Sequence, residues 1–361
     1  MNKTRIAVAG AGYIGQAHMA AARTSATVSL SAIVDPSPAA TVIAQAAGVP
    51  LFASLEELLA RDRPDAVVLA TPNPLHVAQA MLCVETDLPV LLEKPIAPTV
   101  AQGAALVQAA EARKARLLIG HHRAHSPIMA RARDVVRSGQ LGKLVAVMGS
   151  ATFFKPDSYF ADAPWRREPG GGPILLNMIH EVHNLRMLCG EVLAVQAFAS
   201  HATRGFAVED TVAISLRFAN GALGSFMLSD TAACPRSWEQ TSGENPDYAT
   251  CGDEDCYVIS GTHGSLSVPT MRLKAYPGPQ DRSWWKPFES SVLPLVRADP
   301  IERQMEHFGA VARGNAQPLV TARDGLENLR VTEAITEAAR TGRTVWLGGD
   351  AAAPALRETP Y

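Results

Sequence analysis

Arg5-Ile-Ala-Val-Ala9, running into Gly10-Ala-Gly12-Tyr13-Ile14-Gly15, is the stretch on which the fold turns. A run of strand length leads into G-x-G-x-x-G, and alanine-rich sequence of helical character follows. The three glycines have separable jobs if a dinucleotide lies here. Gly10 permits the tight turn, Gly12 lets the backbone approach a pyrophosphate, and Gly15 allows close helix–strand packing. The helix N-terminus, with Tyr13 and Ile14 in its first turn, then offers N–H groups and the positive end of its dipole to the phosphates. Taken alone, the motif reads equally as a glycine-rich turn, so its context decides. A second apolar strand ends at Asp35, about twenty residues beyond Gly15, where a carboxylate can accept hydrogen bonds from the adenosine ribose. That carboxylate would repel a 2′-phosphate, and Asp35-Pro-Ser-Pro38 holds no arginine to receive one, so NAD is favoured over NADP. The competing role for Asp35 is to cap the following helix.

Outward from this stretch, residues 3–120 alternate apolar strands (5–9, 28–34, 66–70, 88–93, 116–120) with helical segments (14–24, 38–47, 54–61, 74–86, 99–114). This is the βαβ pattern of a doubly wound parallel sheet. Ser54 and Glu57 have capping-box spacing at one helix start. Thr71-Pro72-Asn73 ends the third strand, with His76 just beyond, and Glu93-Lys94-Pro95 ends the fourth. Ligands of such sheets bind beyond the carboxyl ends of the strands, so these residues fall at the crevice and Lys94 faces a dinucleotide. A Pro-rich turn with Asn73 as a helix cap is the plainer reading of Asn73.

After His121 the pattern changes. A helix is expected at 126–138, then long strands at 143–153, 191–201, 208–218 and 222–229, the last two joined by the hairpin signal Asn220-Gly221. Further strands are expected at 256–260, 264–269 and 271–276, and two helices near 299–313 and 323–340 precede a short Ala/Pro stretch at 351–354. The polar segment 234–255, containing Trp238, is long for a turn and reads as a lid or a subunit contact. The expected organisation is a Rossmann domain at 1–121 and an α+β domain at 122–361 carrying a large, mostly antiparallel open sheet.

With 361 residues and a formal charge of −2, the chain has no long basic block, so neither nucleic acid nor an anionic membrane is an expected partner. No apolar run suits a signal peptide or a membrane span. Five scattered cysteines suit reduced thiols in a cytoplasm, and Cys251 and Cys256 have the wrong spacing for a redox or zinc motif.

The glycine motif, Asp35, Thr71-Pro72-Asn73, Glu93-Lys94-Pro95 and Gly172…His180 occur in the order seen in the Gfo/Idh/MocA oxidoreductases, and over nearly its whole length the chain resembles that family. Trp165-Arg166, Gly261-Thr-His-Gly-Ser265 and the closing Pro318…Gly342 segment continue the likeness. The resemblance implies NAD-dependent hydride transfer between a secondary alcohol and its ketone on a sugar, polyol or related hydroxylated ring. It implies that Lys94 holds the reacting oxygen and the nicotinamide ribose, and that the histidine following a glycine run, His180, transfers the proton. The cofactor contacts expected are Gly10, Gly12, Tyr13, Ile14, Gly15, Asp35, Thr71, Pro72, Asn73, His76, Glu93 and Lys94. The substrate contacts expected are Lys94, His122, Arg123, Trp165, Arg166, Asn177 and His180. The family's aspartate falls on Leu176, a departure that leaves His180 as the base, with Asn177, His183 and Asn184 within a turn of it and Glu181 about a hundred degrees round the helix. His180 and His183 lack an evident third ligand, so no metal is expected. Arg123 reads equally as a substrate contact or a structural ion pair. Two alternatives stay open on this scaffold: an NAD-dependent cis-dihydrodiol dehydrogenase and an NAD-dependent glycoside hydrolase. The family likeness also implies a homodimer or homotetramer formed through the open sheet.

Overall fold

The computed structural model describes residues 3–348, so the Ala/Pro stretch at 351–354 and the end of the second expected domain lie outside the described residues. The chain divides into two compact units. One takes in the chain up to Ser126 and then Asp299–Leu329; the other takes in Pro127–Ala298 and the chain from Arg330 on.

The first unit is built on six parallel strands: β1 (Thr4–Ala9), β2 (Val28–Val34), β3 (Leu51–Phe52), β4 (Ala66–Leu69), β5 (Val90–Glu93) and β6 (Leu117–Gly120). Their order is β3-β2-β1-β4-β5-β6, the doubly wound order, whose switch point lies between β1 and β4. Strands β4, β5 and β6 are buried at every position, which is why they read as unbroken apolar runs rather than alternating ones. Ser54 Oγ accepts from the Glu57 backbone N–H at 3.2 Å, and the Glu57 carboxylate reaches back to the Ala53 N–H at 3.0 Å, fixing the start of the helix Leu55–Arg61. The two-residue β3 carries no period that a sequence pattern can register.

The return of Asp299–Leu329 to this unit differs from the single boundary expected at 121. The Glu306 side chain, on the helix Pro300–Ala312, accepts from the hydroxyls of Ser25 and Thr27. Arg116 Nη1 donates to the Ala312 carbonyl at 2.6 Å. These partners are separated by nearly 200 residues or more, beyond the reach of local patterning.

The second unit carries a mostly antiparallel sheet of ten strands: β7 (Leu144–Phe154), β8 (Val192–Ser200), β9 (Thr211–Phe218), β10 (Leu223–Ser229), β11 (Thr231–Arg236), β12 (Tyr257–Gly261), β13 (Gly264–Val268), β14 (Arg272–Ala275), β15 (Glu289–Val292) and β16 (Val345–Trp346). The order is β15-β14-β13-β12-β7-β10-β9-β8-β16, with β11 also paired to β7; the β7–β10 pair is parallel. One face buries Val147, Ala151, Ile214, Leu216, Phe226 and Ile259 in a core shared with the helices Pro127–Arg137 and Ile179–Cys189. The other face exposes Met148, Phe198 and Met227. The hairpin at Asn220-Gly221 forms, with Gly221 at φ +89°. Strand β15, Glu-Ser-Ser-Val, is exposed at all four positions and so lacks the alternation that marks a half-buried strand. The segment 234–255 holds the end of β11 and a short helix, Trp238–Ser242, and Trp238 is buried against Tyr257.

Candidate active site

Each motif glycine meets a distinct steric demand. Gly10 has φ +94°, and a Cβ there would lie 2.4 Å from the Ala70 carbonyl oxygen; a Cβ on Gly15 would lie 1.9 Å from that of Gly10. Both are backbone collisions that only glycine avoids. Gly12 meets nothing within 4 Å, so open space lies over the turn. Gly12 is also the N-cap of the helix Tyr13–Thr24, and no side chain caps that helix, which suits N–H groups offered to a phosphate. Tyr13 is exposed and Ile14 half-buried.

Asp35, at the end of β2, bonds back to this turn. Its Oδ2 accepts from the Ala11 N–H at 2.8 Å and its Oδ1 from the Ser37 N–H at 2.8 Å. Burial alone would raise its pKa, but the bonds from Ser37 and Ala11 outweigh burial and lower it. The half-buried carboxylate keeps lone pairs for a ribose, since each oxygen accepts more than one bond.

At the end of β4, Thr71 Oγ1 bonds Gln79 Oε1 at 2.6 Å, Pro72 is exposed, and Asn73 opens a 3-10 turn. The Asn73 side-chain oxygen is shielded from solvent and has no hydrogen-bond partner, which marks it as available to a ligand. An open turn at Gly12, an uncapped helix start, an acidic strand end and this orphaned oxygen together fit a bound dinucleotide.

His76 and Glu93 sit behind this edge. His76 is buried, with Nδ1 2.8 Å from the Pro95 carbonyl and Nε2 2.8 Å from that of Thr71, so both ring nitrogens meet backbone of the two loops. Glu93 is buried too: Oε1 meets His18 Nε2 at 2.8 Å, and Oε2 accepts from the Lys94 N–H at 3.2 Å. A Cβ on Gly120, its partner in β6, would lie 2.8 Å from Oε1, so that glycine makes room for the carboxylate. Burial pushes the Glu93 carboxyl up, but the hydrogen bond and charge of His18, with the charges of His122 and Lys94, lower it overall. Lys94 is half-buried at the strand end and joined to Pro95 by a cis peptide. His122 lies half-buried, and Arg123 buried, in the 3-10 turn after β6.

In the second unit the glycine run also has steric causes. A Cβ on Gly171 would lie 2.5 Å from the Trp165 carbonyl oxygen, and one on Gly172 would lie 2.4 Å from the Glu209 carboxylate. Glu209 Oε1 accepts from the Ile174 N–H at 2.8 Å, and burial raises its pKa. A widened π turn, Ile174–Met178, follows before the α-helix Ile179–Cys189; such turns recur at functional sites. The helix is therefore entered through a turn wider than a regular α-helical one. Leu176 and Asn177 are half-buried on that turn, while His180 and His183 are buried on the helix. Glu181 takes the Tyr257 hydroxyl, which also accepts from Asn184 Nδ2 at 2.9 Å. Arg166 lies 3.7 Å over the Tyr159 ring with Nη1 donating to the Tyr159 carbonyl at 2.6 Å, beside the exposed Trp165.

Four site-forming residues escaped the sequence reading: His18, Lys155, Glu209 and Asp230. Lys155 Nζ donates to Asn177 Oδ1 at 2.8 Å and lies 3.5 Å from Asp230 Oδ2. One signal was present: Lys155-Pro156 follows a strand as Lys94-Pro95 does. Among the described residues no group of three or more His, Cys, Asp or Glu is placed to hold a metal, and no helix is long and apolar enough to cross a membrane.

Residues 4–121 match the model of the oxidoreductase family with NAD-binding Rossmann fold, and residues 129–267 match the Gfo/Idh/MocA C-terminal domain. The chain is 28% identical to the rhizopine catabolism protein MocA of Rhizobium meliloti, over 93% of this chain and 95% of that one. It is 28% identical to 1,5-anhydro-D-fructose reductase of Ensifer adhaerens, over 80% and 82%. Among solved structures, the WlbA dehydrogenase of Bordetella pertussis, in complex with NADH and UDP-GlcNAcA, superposes with a TM-score of 0.76 at 25% identity, covering 96% of this chain and 99% of that one. Motifs, sheet order and both family models agree: the chain belongs to the Gfo/Idh/MocA oxidoreductase family.

Proposed function

We propose that the protein is an NAD-dependent dehydrogenase that interconverts a secondary alcohol and its ketone on a sugar, polyol or related hydroxylated ring. The observation that carries this reading is the row of groups at the carboxyl ends of adjacent parallel strands: Gly10 after β1, Asp35 after β2, Thr71 and Asn73 after β4, Lys94 after β5. They straddle the switch point, where dinucleotides bind in sheets of this order. The likeness to 1,5-anhydro-D-fructose reductase favours the substrate class.

When bound, NAD supplies the hydride acceptor. The chain's own part is orientation and electrostatics. Asp35 accepts the ribose hydroxyls and disfavours a 2′-phosphate, which selects NAD over NADP. The Lys94 ammonium holds the reacting oxygen and stabilises the negative charge that develops on it. His180 takes the hydroxyl proton; with leucine at 176 it does so without a carboxylate from the preceding turn. In the second unit Trp165, Arg166 and Asn177 are the proposed substrate contacts; in the first they are His122 and Arg123. The exposed sheet face around Met148, Phe198 and Met227 suits self-association into a dimer or tetramer.

The test is NADH formation, with NADP in parallel, across inositols, aldoses, anhydrosugars and cyclic diols. Turnover of one class with NAD supports the reading. NAD binding with no turnover of any class, together with release of an aglycone from a glycoside, favours the hydrolase instead.

A further inference from the structure

Lys155 directly follows β7 and is nine-tenths buried. Its ammonium lies 4.8 Å from the centroid of the Tyr159 ring, and the Arg166 guanidinium lies 3.7 Å from the same centroid. Two like charges are thus pinned to one phenol ring, an arrangement that costs energy unless anions offset it. Neighbouring acids offset it only in part. Asp230 is bonded by Arg204, through Nε at 3.1 Å to Oδ1 and Nη2 at 2.7 Å to its carbonyl. Asp157 is fully exposed and faces Arg204 at 3.7 Å. Burial biases Glu209 toward its neutral form, and the main counter-charge of Lys155 is Asp230, at 3.5 Å, which it shares with Arg204. Lys155 has three N–H donors and two partners, Asn177 and Asp230, so one donor remains. Arg166 spends Nη1 on the Tyr159 carbonyl.

We infer that the substrate carries a carboxylate and that Lys155 and Arg166 receive it. This rests on the dehydrogenase reading and narrows it to acidic sugars and polyols such as uronates and aldonates. A planar guanidinium fork and a fixed ammonium match a carboxylate better than a neutral hydroxyl. Asn177, which holds Lys155, lies three residues before His180, so the anion is anchored within one helical turn of the base. The Tyr159 ring that both cations approach holds them in place before the ligand arrives, reducing the ordering cost of binding.

The test is calorimetric binding to the NAD-loaded protein of methyl α-D-glucuronide against methyl α-D-glucoside, which differ only in carboxylate against hydroxymethyl. Tighter binding of the acid by at least about tenfold is expected, weakening with salt, and Arg166→Gln or Lys155→Met should erase that preference. Arg166 is only half-buried, so its variant keeps the test readable if Lys155→Met misfolds. Equal binding of the pair, or a preference that survives Arg166→Gln, overturns the inference. If a neutral polyol then still reduces NAD, the dehydrogenase reading stands without it. A preference for the acid that depends on Arg166, with no hydroxylated compound reducing NAD, supports the anion site and refutes the proposed chemistry.

Discussion

Replacing Glu93 with glutamine isolates the support beneath Lys94. Two donors converge on the wild-type carboxylate, from His18 at 2.8 Å and the Lys94 backbone at 3.2 Å. The side-chain amide has one acceptor oxygen, so its NH2 must face one of those donors. His18 can accept from it only by moving its own proton to Nδ1, and that atom is buried with no partner. One buried donor is therefore left unsatisfied in any arrangement, a cost of about 1–3 kcal/mol. Chemical denaturation near neutral pH should show that loss. The pH dependence has a definite sign. The folded-state pKa of Glu93 is lowered from its ordinary 4.5, so its contribution is present above the unfolded value and is lost as pH falls through the folded one. The gap between wild type and Glu93→Gln should therefore narrow below about pH 4. Because the pair that supports the Lys94 backbone is disturbed in either arrangement, kcat should drop by about tenfold or more, equivalent to about 1.4 kcal/mol, while NAD affinity changes little. A variant as stable as wild type at neutral pH, or a stability gap independent of pH, would refute this account of the pair.

Other predictions follow from particular contacts. Gly15→Ala places a Cβ 1.9 Å from the Gly10 oxygen, so NAD should bind at least about tenfold more weakly in a fluorescence titration. Asp35→Ser removes the charge that disfavours a 2′-phosphate; the ratio of kcat/KM for NADP to that for NAD should rise, and an unchanged ratio would remove Asp35 from cofactor selection. Burial pushes the thiols of Cys83 and Cys189 up to about 12, so a disulfide reagent at pH 8 should react first with Cys234 and Cys251 and reach Cys83, Cys189 and the buried Cys256 only on unfolding. His180→Ala should lower kcat/KM by about two to four orders of magnitude with NAD binding retained, measured by steady-state kinetics and titration.

What could be read from sequence was set by locality. Glycine roles at 10, 12 and 15 follow from backbone geometry within one turn, and the apolar strands of the parallel sheet announce themselves because both faces are covered. Contacts between distant residues left no such trace. His18 and Glu93 meet across 75 positions, so Glu93 read as a cofactor contact although its carboxylate faces inward. The same holds for His76, whose ring meets the carbonyls of Thr71 and Pro95, the latter 19 positions away. Glu209 is acidic, like many surface residues, until its 35-residue reach to Ile174 is seen. The polar neighbours of Trp238 suggested a loop, whereas its indole is packed against Tyr257.

Isotope transfer tests the central claim most directly. A turned-over polyol or sugar deuterated at its carbinol carbon would be incubated with the protein and NAD, and the nicotinamide examined by proton NMR. The account predicts deuterium at C4 of the reduced nicotinamide in wild type, and its loss in Lys94→Ala with NAD still bound. Reduced cofactor without deuterium, or undiminished transfer in Lys94→Ala, would contradict it.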